Sequence, residues 1–194
     1  MTRSVATLGA IVFGATLVAG CGGGPMPPAH WVQGGARLDL PMARSTYEGD
    51  PVEIRSRGSW AEIVVDGDVE LVLDRVGRVY TKRRQPYAVL ESDGRLVGKD
   101  DQLLGIVGSA NAALPGRANA WISMTPYGQI VKYEGSSGSV VGQWMGCNAS
   151  PWAAQACVLT TYLLYYRDHG EDELGAAQPG MMTPGFGATM VVAP

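Results

Sequence analysis

Histidine is nearly absent from this chain: two occur in 194 residues, His30 and His169. His30 lies in a Gly- and Pro-rich stretch where nothing positions it. His169 lies where a helix is expected to end, so capping is its first reading. A Ser-His-Asp triad therefore has at most one candidate base, and no G-x-S-x-G nucleophile turn accompanies it. A zinc site lacks ligands. Phosphate loops are missing too. Gly135-Ser136-Ser137-Gly138 is followed by neither a Lys nor a helical pattern, so it reads as a hairpin turn. No residue set calls for a cofactor. Positive charge is scarce: 15 Lys and Arg against 18 Asp and Glu give a net charge of −3. That argues against nucleic acid, a partner that needs a concentrated basic face. The one basic cluster, Lys82-Arg83-Arg84, falls between two strand-like runs and reads as a solvated loop. No strongly apolar run reaches the about 20 residues of a membrane span.

What the chain does have begins with a leader. Arg3 gives a positive start, and Val5 to Gly20 is almost wholly apolar or small. This fits a signal-peptide core with a small-residue cleavage region; the competing readings are an uncleaved anchor or an ordinary signal peptide with a chance Cys. The segment closes on Leu17-Val18-Ala19-Gly20-Cys21, which resembles the lipobox of bacterial lipoproteins. The resemblance covers only these first 21 residues. It implies that residues 1–20 are removed and that Cys21 is lipidated and becomes the first residue of a chain held at the bilayer outside the cytoplasm. Each buried acyl CH₂ contributes about 0.8 kcal/mol, and one chain alone holds weakly. The diacylglyceryl group of a lipoprotein supplies two. Gly22, rather than Asp, follows the Cys; by the rule of enteric bacteria that directs the protein to the outer membrane.

Removal of the first 20 of 194 residues leaves 174 and, with Arg3 lost, a net charge of −4. Residues 21–35 read as a tether, because Gly22-Gly-Gly-Pro-Met-Pro-Pro-Ala29 gives a flexible or semi-extended spacer. Residues 171–194 read as a largely disordered tail. Met181, Met182, Phe186, Met190, Val191 and Val192 offer the alternative of a late docked strand. About 140 residues remain, enough for one domain with a core.

That body reads as mainly β with one C-terminal helix: an antiparallel hairpin meander or small barrel-like sheet over 36–146, then a helix over 147–170 packed on the same domain. Val52-Glu53-Ile54-Arg55, Trp60 to Val65 and Val69 to Leu73 carry strand alternation. Asp66-Gly67 between the last two is a strong hairpin signal, since both residues tolerate positive φ. Gly58-Ser59 marks a second tight connection. A loose repeat follows: Gly77-Arg78-Val79-Tyr80, Gly94-Arg95-Leu96-Val97 and Gly128-Gln129-Ile130-Val131, at intervals of 17 and 34 residues. Each looks like a turn glycine launching a strand. Ser109 to Ala120 falls where another copy would start and reads as an excursion loop. Ser150 can cap the helix, Pro151 suits its first position and Gly170 its stop.

With Cys21 assigned to the lipid, Cys147 and Cys157 are an even pair in an oxidising compartment, expected as a disulfide worth about 2 to 3 kcal/mol. Trp60, Trp121 and Trp144 are the candidate interaction residues, since aromatics are enriched at interfaces and in sugar-binding clefts. The competing assignment packs Trp144 and Trp152 beside the disulfide and puts Trp60 and Trp121 in the sheet core. The expected function is a non-enzymatic, membrane-anchored envelope lipoprotein that contacts another envelope protein. The alternative is a glycan or peptidoglycan binder or hydrolase using Trp, Tyr and Asp residues, for which two of Asp66, Asp68, Asp93 and Asp101 must converge beside a Trp.

Overall fold

The computed structural model describes residues 31–175, with side chains to 170. Twelve strands form one antiparallel sheet in which each pairs with the next in sequence. They are β1 Ala43–Tyr47, β2 Asp50–Ser56, β3 Trp60–Val65, β4 Asp68–Asp74, β5 Arg78–Thr81, β6 Pro86–Leu90, β7 Arg95–Gly98, β8 Leu103–Val107, β9 Asn111–Ala113, β10 Ile122–Met124, β11 Gln129–Glu134 and β12 Ser137–Gln143. A single helix, α1, runs from Pro151 to Gly175. The meander with one C-terminal helix is thus as the sequence indicates.

The turns explain the repeat. In Thr81–Gln85, Glu91–Arg95, Gly98–Gln102 and Thr125–Gln129, the first N–H donates to the fifth carbonyl and the fourth N–H to the first, all at 2.7–3.1 Å. The fourth residue is left-handed each time: Arg84, Gly94, Asp101 and Gly128, with φ of 60°, 89°, 57° and 81°. This is the three-residue hairpin loop with a bulge, a common way to join twisted strands. Among these four turns glycine holds that position only at one end of the sheet, where neighbouring backbone closes in. The carbonyls of Gly77, Gly94 and Gly128 accept from Leu90, Val107 and Trp144. A Cβ at 77 would stand 2.7 Å from the Leu90 oxygen. The carbonyl of Ala110 accepts from Met124 in the same manner, at 2.7 Å. The segment Ser109–Ala120 is therefore not a plain excursion: it contains β9, which pairs with both β8 and β10.

The sheet nearly closes. Arg44 and Met145 exchange backbone hydrogen bonds of 3.0 and 2.8 Å across the seam between β1 and β12. Gly142 lets the strands approach, since a Cβ there would lie 2.9 Å from the Thr46 oxygen. Inside sits α1. Every residue from Ala156 to Tyr165 is buried, as expected of a helix that is apolar all round. Its partners lie on strands around the whole circuit: Tyr47 of β1 packs on Tyr165 at 4.8 Å, Glu70 of β4 pairs with Arg167 at 2.9 Å, and the Leu104 carbonyl of β8 accepts from Tyr162 Oη. The buried hydroxyls of Thr160 and Thr161 donate back to the Ala156 and Cys157 carbonyls at 2.8 and 3.0 Å, so neither is stranded.

Two boundaries differ from expectation. Residues 31–35 are already part of the packed body. Gly35, Ala36 and Leu38 donate to Val76, Leu90 and Arg75 carbonyls, and Trp31 is buried against Val89, Val97 and Tyr80 on the outer side of the sheet. The tether reading does not hold for residues 31–35, because Gly34 and Gly35 serve close approach here: a Cβ on Gly34 would come within 2.9 Å of Val76. Second, the helix passes Gly170 and takes in 171–175. Residues 1–30 and 176–194, with Cys21, His30 and the Met- and Val-rich tail, lie outside the described residues.

Candidate functional site

Of the three candidate tryptophans, the fold brings only Trp60 to the surface. It opens β3 on the outer face, where the Arg84 guanidinium lies 4.0 Å above its ring. The left-handed turn at Arg84 aims that side chain back over the sheet. Trp60, Val72, Arg75, Tyr80 and Arg84 surround an open cleft of about 390 Å³. Its floor is rigid. Asp74 accepts from the backbone N–H of Val76 and Arg78 at 3.0 and 2.9 Å and from Arg78 Nε at 2.7 Å. Arg75 Nε donates to the Gly58 carbonyl at 2.9 Å. The hydrogen bond to Asp74 raises the pKa of Arg78, and burial followed by the Asp74 charge raises that of Tyr80. Cations, an indole and a phenol on one rigid face suit contact with a partner; nothing in the group is poised to move a proton.

Trp121 and Trp144 are core residues. Trp144 donates from Nε1 to Thr161 Oγ1 at 2.8 Å and lies beside the Cys147–Cys157 disulfide, which is formed. Trp121 meets Tyr162 and Tyr165 edge to face at 5.6 and 6.3 Å; its Nε1 is buried without a hydrogen-bond partner. Trp60 does not fill the core. Trp152 is 44% exposed, with the Arg37 guanidinium 4.8 Å above it.

The candidate carboxylates do not gather in a cleft beside a Trp, although Asp66 and Asp68 flank one turn. Asp66, Asp68 and Asp101 belong to turns at the end where α1 leaves the barrel, and Asp93 belongs to the β6–β7 turn at the opposite end. Asp66 and Asp101 are separated by four strand spacings, about 19 Å. His169 pairs with Glu48 at 2.7 Å, and Tyr47 Oη donates to Asp168 at 2.6 Å; both contacts tie the helix to the β1–β2 turn. Among the described residues no group of His, Cys, Asp and Glu is arranged to hold a metal ion, and no helix is long and apolar enough to cross a membrane.

A second, larger cleft of about 670 Å³ opens where α1 enters the barrel. It lies between the β8–β9 turn, the β10–β11 turn and the disulfide-bearing link from β12 to α1. Met124, Trp144 and Ala154 form its floor, and Tyr127 and Met145, 82% and 66% exposed, stand at its rim. The sequence carries no signal for this site. Its walls come from three turns far apart in the chain, and only the meander assembles them.

Comparison with known proteins finds no similar family model, curated protein or solved structure.

Proposed function

We propose that this is a non-enzymatic lipoprotein of the bacterial envelope, anchored through acylated Cys21, whose barrel contacts another envelope protein. The observation that carries the reading is the lipobox-like run Leu17–Cys21, ten residues before the packed Trp31. The Cys147–Cys157 bond is consistent with an oxidising compartment. The first described residue, Trp31, lies ten positions after Cys21 and is packed on the outer face of β5–β7. Ten extended residues reach at most about 36 Å, so anchoring holds the barrel close to the bilayer. For the contact we nominate the Trp60 cleft. Trp, Tyr and Arg are the residue types that dominate binding energy in protein interfaces, and here Trp60, Tyr80 and Arg84 share one face. That none of Asp66, Asp68, Asp93 and Asp101 lines a cleft with a Trp weighs against the glycan-hydrolase alternative.

Photo-cross-linking in the native cells tests this reading. Probes at positions 60 and 82 of the lipidated chain are expected to give one dominant protein adduct, lost in Arg84→Glu. Adducts to glycan alone, or no adduct from a correctly anchored chain, overturn it.

A further inference from the structure

The cleft at the helix-entry end is independent of the anchoring and of the Trp60 face. Its chemistry is unusual for a surface site because none of its lining residues is charged. The polar side chains that line it divide into two kinds. Thr125 accepts from the Gln129 N–H, Gln143 donates to the Tyr127 carbonyl at 3.0 Å, and Ser150 both caps the helix at Ala153 and donates to Asp39 at 2.6 Å. These are engaged within the protein. Ser109, Tyr127 and Asn148 line the same cleft and have no side-chain hydrogen-bond partner among the described residues. The floor is apolar and fixed. Trp144 is held by Thr161, and the chain after it by the disulfide and the Arg44–Met145 bridge. Two thioethers, Met124 and Met145, give the walls the capacity to adjust to different shapes.

From these features we infer that the cleft is a binding site for a neutral, mainly apolar small molecule bearing one or two hydrogen-bonding groups. The volume lies within the usual range for small-molecule sites, as does the pattern of an apolar lining with a few free polar groups. Charge is the discriminating property. An anionic ligand would lose hydration on entering a floor of Met124, Trp144 and Ala154 and would meet no counter-charge in the lining, with the Asp39 carboxylate behind Ser150 opposing it, a cost that weakens its binding. Ser109, on the β8–β9 turn, Asn148, on the β12–α1 link, and Tyr127 are the groups that would orient the ligand.

The test uses the lipidated full chain in nanodiscs, with ¹³C-methyl-labelled methionine. The probe is 1-naphthylmethanol, compared with its anionic analogue 1-naphthoate. The inference predicts saturating shifts of the Met124 and Met145 methyls with the alcohol. It predicts affinity for the carboxylate at least about tenfold weaker, the penalty for an uncompensated charge. Tyr127→Asp and Met145→Asp, both at exposed positions, should abolish the ligand-dependent shift of the Met124 methyl while the Trp60 face is unaltered. Three outcomes overturn the inference: no saturating shift from the folded protein, equal binding of the carboxylate, or shifts that instead follow protein concentration, which would make a second copy of the chain the occupant. The cross-linking result at Trp60 is unaffected by any of them, so the two readings fail separately.

Discussion

At the scale of single residues, fit inside the barrel is set by positions that read as unremarkable. Gly105 sits mid-strand in β8, where glycine weakens a strand unless something must come close. Here Tyr162 does: a Cβ on Gly105 would collide with its ring and stand 2.7 Å from the Ala113 carbonyl. Gly105→Ala should therefore cost about 2 kcal/mol, typical of overpacking, measured as a shift in the urea midpoint at unchanged slope. Ionisation gives a second prediction. Burial first, and for Tyr47 the hydrogen bond to Asp168 next, push the pKa values of Tyr47 and Tyr162 above the ordinary value of 10.0. The folded protein then holds protons that the unfolded chain releases, so this contribution is complete below pH 10 and is lost as pH rises beyond it. Urea midpoints should be flat from about pH 7 to 9 and fall above about pH 10. Tyr47→Phe should flatten that fall; an unchanged alkaline slope would contradict the assignment. The glycine code itself was half legible. Gly77, Gly94 and Gly128 announce turns because a Cβ would strike backbone. The equivalent turns at Arg84 and Asp101 stay hidden because open space lets a side chain tolerate positive φ at modest cost.

At the scale of elements, α1 connects the rest. Its N-terminal cap was readable: Ser150 accepts from the Ala153 N–H at 3.1 Å. Its end was not, because Gly170 is tolerated within a helix whose preceding turns are enclosed, at a propensity cost of about 1 kcal/mol. The disulfide ties β12 to the first two turns with a sequence separation of 10. Its replacement by Cys147→Ser and Cys157→Ser together should cost about 3 kcal/mol in the chain-entropy model, observed as a lower urea midpoint. Leu159 and Leu163 are fully buried in the lumen. Leu163→Ala should cost about 2–5 kcal/mol; a loss below about 1 kcal/mol would mean the sheet does not depend on the helix that fills it. Strand alternation was clear in β2, β3 and β4, where hairpins are long. It was faint in β9 and β10, each three residues long, because so short a run shows no period; their place is fixed by pairing with longer neighbours.

At the scale of the whole molecule, a twelve-stranded sheet nearly closed around one helix leaves its outer face and its ends exposed to solvent. Fold class was legible because turn glycines, strand alternation and one long apolar segment all point to the same architecture. The surface sites were not, since the Trp60 cleft and the helix-entry cleft are built from residues that meet only after the meander closes. Trp121 and Trp144 illustrate the difficulty: as sequence they rank with Trp60, and only the inward or outward phase of each residue separates core from surface. The proposed function rests most heavily on Cys21, since anchoring there would fix where these surfaces can act. Intact-mass analysis of the protein extracted from its native membranes tests that directly. A chain beginning at Cys21 and carrying a diacylglyceryl group is the result expected. A chain that keeps residues 1–20, or one cleaved elsewhere with an unmodified cysteine, would contradict the lipoprotein reading and release the barrel from the membrane.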